Sequence, residues 1–136
     1  MKYLAVIDTN VIISAMLNFS SVPGQIVLES LTGKITPLLN DEILAEYEEV
    51  LSRPKFHFSQ NDIDILIEGI RKRGVHVDAT PLGEYLLDPK DAVFYEIVME
   101  SRKTSNSYLV TGNLKHFPVK PFIITPREML NLIQDE

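Results

Sequence analysis

The chain has no cysteine, which excludes disulfides, thiolate zinc sites and a cysteine nucleophile. That absence suits a reducing compartment, and a cytoplasmic protein is the expectation. Histidine is scarce: His57, His76 and His116 are scattered without metal-ligand spacing, which argues against a histidine-based catalytic or zinc centre. No serine stands in a nucleophile elbow, and no glycine-rich phosphate loop is present. Apolar runs fall far short of the ~20 residues that span a bilayer. The run from Tyr3 to Ile7 stops at Asp8, too short for a signal peptide, so no membrane association is expected. Basic charge is also short, with 13 Lys and Arg against 19 Asp and Glu for a net charge of −6. A long duplex-DNA footprint would need the opposite balance. An acidic metal site beside a local basic patch is compatible with it.

What the chain has is an ordinary globular balance, 45% hydrophobic and 24% charged over 136 residues. That length fits one domain, residues 1–136, which would bury roughly 65–70% of its unfolded surface. No repeat, low-complexity tract or linker interrupts it. Tyr3-Leu4-Ala5-Val6-Ile7 is continuously apolar, as a strand buried on both faces should be. Val11, Ile12 and Ala15 fit a helix, a loop follows from Asn18 to Pro23, and a second helix is expected from Gly24 to Leu31, ended by Gly33. Ile35 to Leu39 reads as a short strand. Asn40 caps a helix whose buried face is Ile43, Leu44, Tyr47, Val50 and Leu51. Ser59-Gln60-Asn61-Asp62 starts another, with the stripe Ile63, Leu66, Ile67, Ile70. Val75-His76-Val77 is a weak strand, Asp88 opens a helix through Met99, Ser107 to Val110 and Phe122 to Ile124 are strands, and Thr125 caps the last helix. Alternating strands and helices imply an α/β fold with a parallel sheet covered on both faces. Ligands in such sheets bind beyond the carboxyl ends of the strands.

Asp8-Thr9-Asn10 follows the first strand directly. These residue types cap helices, and Asp8 is equally readable as a catalytic carboxylate; one oxygen can cap while the other meets a cation. Thr111-Gly112-Asn113 follows the strand ending at Val110 and reads as a turn or as a second set of converging polar groups. The helix from Asp41 to Leu51 carries Glu42, Glu46, Glu48 and Glu49, mostly solvated surface, and nothing in the spacing singles out Glu46. Asp88-Pro89-Lys90-Asp91 has the form of a cap, with Pro89 at the first helical position and Asp91 at the third. Thr125-Pro126-Arg127-Glu128 uses the same device.

Five segments in order resemble a known family. Val6-Ile7-Asp8-Thr9-Asn10-Val11-Ile12-Ile13-Ser14-Ala15 resembles the opening of a PIN domain. Glu42 to Glu46 with Val50 to Phe56, then Asp88 to Asp91, Leu109 to Phe117, and Ile124 to Leu130 are similar to later blocks of one PIN branch, described as toxin components of toxin–antitoxin pairs. The resemblance runs from Val6 to about Leu130. It implies a three-layer α/β/α sandwich around a central parallel sheet of about five strands. It also implies a Mg2+- or Mn2+-dependent endoribonuclease acting on RNA. Its acidic residues carry over to Asp8, Glu46 and Asp91, with Thr9, Asn10 and Thr111 in support. Asp88 stays a helix cap with a supporting role, and Lys115 is the first choice for a phosphate contact over Lys90, Arg102 and Lys103. Many PIN domains have a fourth acid where this chain has Asn113, whose amide oxygen can ligate a metal without adding charge. One firm metal site, and a second filled only with substrate phosphate, is the resulting expectation. The resemblance further implies a cognate antitoxin and a homodimer or larger homo-oligomer.

The chemistry is consistent with these residue types. Hydrolysing a phosphodiester calls for an acidified water and for charge compensation at phosphorus, and a carboxylate-held divalent cation supplies both. Hard oxygen ligands select Mg2+ or Mn2+. Two carboxylates 4 Å apart repel by roughly 4 kcal/mol at an effective dielectric near 20, so converging acids should show raised pKa values or bind a cation. Two other readings stand beside this one. A phosphate-accepting signalling domain would use Asp8, Thr111 and Lys120, although Asp78 is a poor phosphoacceptor. A catalytically inactive interaction module on the PIN scaffold is prompted by Asn113.

Overall fold

Among the described residues, five parallel strands in the order β3-β2-β1-β4-β5 form one sheet, covered by six helices in an α/β/α arrangement. The computed structural model describes residues 2–83 and 88–135. The elements run β1 (Tyr3–Ile7), α1 (Thr9–Leu17), α2 (Val22–Thr32), β2 (Ile35–Leu39), α3 (Asp41–Leu51), α4 (Gln60–Arg73), β3 (Val75–His76), α5 (Pro89–Arg102), β4 (Ser107–Val110), β5 (Ile123–Ile124) and α6 (Pro126–Gln134). No single helix among the described residues is long and apolar enough to cross a membrane.

The sheet is central because its middle strands are apolar on both faces. Ala5, Val6, Ile7, Leu109 and Val110 are all buried, and β1 pairs with β4 in the register Leu4–Ser107 through Ile7–Val110. On its other side β1 pairs with β2, Tyr3 with Ile35 through Ala5 with Pro37. A proline lacks the ladder N–H and belongs on an edge. Pro37 fits because β3 joins β2 only at Leu38 and Leu39, which leaves β2 an edge strand up to that point. The helix α5 packs on β1, β2 and β4, and α2 packs on β2 and α6. The stripe Ile63, Leu66, Ile67 and Ile70 on α4 is buried as its spacing requires, each side chain adding roughly 1.5–3 kcal/mol from removal from water.

Caps define most of the helix starts. Ser21, Asn40, Ser59, Asp88 and Thr125 each accept a backbone N–H of the first turn, and Thr125 with Glu128 completes a reciprocal capping box. The second helix starts earlier than expected from sequence, at Val22 rather than Gly24, because Ser21 caps it and Pro23 suits the first turn. Gly24 is needed there for another reason: a Cβ would meet the Phe19 backbone at 2.4–2.6 Å. Gly33 ends the helix at φ 111°, in the left-handed region that favours glycine. At the other end, α5 continues past Met99 to Arg102. The strands β3 and β5 are each one residue shorter than expected, yet Val77 N–H still donates to Leu39 O and Phe122 O accepts from Leu109 N–H.

Candidate active site

The chain leaves β1 for β2 on one side and later places β4 on the other, so the order reverses between β1 and β4. Crevices at the carboxyl ends of strands flanking such a reversal are where open α/β sheets bind ligands. Asp8 follows β1 and Thr111 follows β4, and the two meet there: the Thr111 hydroxyl donates to Asp8 Oδ2 at 2.7 Å. The other oxygen, Asp8 Oδ1, accepts the Thr9 N–H at 2.8 Å, so Asp8 does cap α1. Thr9 Oγ1 donates in turn to Glu46 Oε2 at 3.0 Å, which ties α3 to the same point. The hydroxyl of Thr111 also accepts the Asn113 N–H at 2.9 Å, and Asn10 Oδ1 accepts the Gly112 N–H at 3.3 Å.

Asp8 is nearly buried at 7% exposure, as are Thr9 and Thr111. Burial pushes the Asp8 carboxyl above its usual range, and the charges of Asp91 and Glu46 push it further; the bonds from Thr111 and from the Thr9 N–H oppose the rise. Asp91, half-buried in the first turn of α5, is also raised, chiefly by burial and then by the charges of Asp88 and Glu46 against the lowering effect of His116. Asp8, Glu46 and Asp91 thus lie within electrostatic reach of one another. Asp88, exposed, accepts the Lys90 N–H as an N-cap and reaches the group through its charge on Asp91.

Two residues join the site that the spacing did not indicate. His116 Nδ1 stands 3.7 Å from Asp91 Oδ2, placed there by the short 3-10 turn Leu114–His116 that follows Asn113. Its position just beyond the second strand end was the available signal. Tyr47, read from sequence as core, donates its hydroxyl to Ile7 O beneath Asp8. Its phenol is pushed up by burial and by the charges of Asp8 and Glu46, so it stays protonated.

The supporting cations separate clearly. Arg102 is spent on Ser107 O at 2.6 Å and covers the Phe122 ring at 4.2 Å, and Lys103 pairs with Glu100 at 3.0 Å. Lys90 and Lys115 are exposed at the rim, without an ion pair among the described residues. Of the other α3 acids, Glu42, Glu48 and Glu49 are exposed, as a charge run should be, and Glu49 pairs with Arg53 at 3.1 Å.

Donor chemistry here suits a hard divalent cation: carboxylate, hydroxyl and amide oxygens, with like charges that a cation would relieve. Among the described residues, however, no three carboxylate or histidine side chains already form a ligand group. Mg2+ is ordinarily held by one or two carboxylates with waters and substrate phosphate, so the residues fit it without a complete protein cage.

The raised carboxyls have a consequence for stability. The folded protein holds protons that the unfolded chain has released, so stability falls as pH rises from the ordinary carboxylate pKa through the raised values. Asp8→Asn removes the most buried of these anions. Thermal unfolding of the metal-free proteins should show the variant at least as stable as wild type at neutral pH, with a shallower decline from acid pH. Lower stability at neutral pH would make Asp8 a structural residue.

Residues 4–115 match a protein-family model described as a PIN domain, a span covering most of the chain. No curated protein matches the chain.

Proposed function

From the premise that this chain belongs to the PIN-domain family, whose members are generally nucleases, we propose that it is a Mg2+- or Mn2+-dependent endoribonuclease and the toxin of a toxin–antitoxin pair. The observation that carries the reading is Asp8 itself. This carboxylate is buried at the sheet's reversal point, held by two hydrogen bonds, and kept there against the charges of Asp91 and Glu46. Natural folds rarely retain such repulsion without a functional reason, and perturbed carboxyls in a strand-end crevice are functional-site candidates.

In this reading Asp8 and Asp91 hold the cation and Glu46 contributes through water. A bound cation supplies an acidified water and offsets the charge that builds on the phosphate. Thr111 and the Thr9 N–H fix both oxygens of Asp8, and Thr9 Oγ1 fixes Glu46, so the carboxylates need little reorganisation. Asn10 holds the Gly112 backbone of the facing loop, Asp88 steadies the start of α5, and Lys115 meets a phosphate. The cytoplasm, an antitoxin partner and self-association complete the proposal.

The direct test is calorimetric titration of Mn2+ into wild type and Asp91→Asn. Binding weakened tenfold or more is expected, because even residues that only support a ligand typically give 10–100-fold losses. Equal binding would return Asp91 to helix capping. One observation favours a second reading: with Asn113 uncharged and no ready-made ligand group among the described residues, an inactive module on the same scaffold would bind no cation in either protein.

The phosphate-accepting alternative has little support. That fold orders its strands 2-1-3-4-5, whereas this sheet runs 3-2-1-4-5. Asp78 is exposed beyond the edge strand β3, 3.8 Å from His76.

A further inference from the structure

Beside the acidic group, between the start of α1 and the loop after β4, lies a cavity of about 220 Å3. It is below the ~300–1,000 Å3 usual for drug-sized ligands, on the scale of a single ring system. Its polar wall is Asn10, Ser14 and Asn113, and its apolar wall is the half-buried Pro23 with the buried Val11 and Pro126 behind it. Neither wall carries a formal charge, in contrast to the carboxylates next to it.

The hydrogen-bonding state of the polar wall is specific. Asn10 has its Oδ1 fixed by the Gly112 N–H, while its Nδ2 donors have no partner among the described residues. Asn113 uses its backbone alone, the N–H on Thr111 Oγ1 and the carbonyl for the His116 N–H, and both ends of its carboxamide are without a partner among the described residues. Ser14 Oγ is likewise without a partner among the described residues, on an exposed turn of α1. Paired donor and acceptor groups over apolar walls are the requirements of a nucleobase, a flat ring with a polar edge. A free Asn carboxamide matches adenine in particular, which it can pair at N6 and N7 together.

We infer that this cavity seats a base of the RNA strand, adenine by preference, adjacent to the phosphate that meets Asp8 and Asp91. The inference deepens the ribonuclease reading and rests on it for the identity of the strand. Asn113 then has a reason to be an amide: a carboxylate would repel the acceptor N7. The neutral cavity and the charged group divide the nucleotide between them, base on one side and phosphate on the other.

The test separates base binding from catalysis. Metal-free, 15N-labelled protein is titrated with each of the four ribonucleosides, which carry no phosphate to reach the acids. Adenosine should shift the backbone amides of Asn10, Ser14, Gly112 and Asn113 more strongly than the other three. Ser14→Phe, filling the cavity from an exposed position, should weaken that binding at least tenfold while Mn2+ affinity is unchanged; Ser14→Gln provides a smaller filling should the phenylalanine disturb folding. In sequenced RNA fragments the ratio of cuts beside adenine to cuts beside other bases should fall about tenfold in Ser14→Phe. Indifference of these amides to every nucleoside, equal response to all four, or adenosine binding unaltered in both variants would overturn the inference. Selective adenosine binding in a protein that cleaves no RNA would instead keep the base site and overturn the ribonuclease reading.

Discussion

Asp8→Asn should cleave RNA about 10³-fold more slowly than wild type in Mg2+ or Mn2+ while remaining fully folded. The size follows from the charge compensation that the bound cation supplies, several kcal/mol, of which ~4 kcal/mol corresponds to three orders of magnitude. The fold should survive because the carboxamide keeps an oxygen for the Thr9 N–H and can offer its N–H to Thr111 Oγ1, a hydroxyl able to accept. At neutral pH the variant also loses an anion whose pKa is raised by burial first and then by the charges of Asp91 and Glu46. Activity and stability are therefore expected to move in opposite directions, which a residue serving only as a cap would not produce. Single-turnover cleavage of a mixed-sequence RNA, with unfolding curves for both proteins, reads the two quantities together. Retained cleavage would remove Asp8 from the reaction whatever its effect on stability.

Much of the fold was readable because its determinants are local. The caps at Asn40, Ser59, Asp88 and Thr125 and the stripes on α3 and α4 follow from residue type and spacing, and the structure has them where the sequence places them. The early start of α2 depended on Ser21 and on Gly24 passing close to the Phe19 backbone, a contact between chain segments that spacing does not encode. The candidate site divides in the same way. Asp8 and Thr111 stand out at strand ends once a parallel sheet is expected. Glu46 does not stand out by spacing, since four glutamates share α3: the family resemblance marks it in the sequence, and half-burial with the bond from Thr9 Oγ1 marks it in the fold. Sequence does not pair His116 with Asp91, because the two lie 25 residues apart and meet only in the folded chain.

Tyr47 carries the second large effect, and on stability rather than on chemistry. Its ring is buried in α3 and lies 6.3 Å from the Phe94 ring of α5, tilted by 39°, so it joins the two helices that carry Glu46 and Asp91. Its hydroxyl reaches Ile7 O, the last carbonyl before Asp8. Tyr47→Ala removes ring and hydroxyl together and should cost ~3–5 kcal/mol, the range for emptying a large aromatic site. At this chain length that is a Tm lower by roughly 10–20 °C. Tyr47→Phe keeps the ring and deletes the bond, and should cost ~1–3 kcal/mol through the acceptor left in a dry interior. The phenylalanine variant is the more informative for function. If the hydroxyl sets the distance between α3 and the end of β1, Glu46 is less firmly held, and Mn2+ binding should weaken even with the protein fully folded. Wild-type metal affinity in a destabilised Tyr47→Phe would confine Tyr47 to the core and leave Thr9 alone to position Glu46.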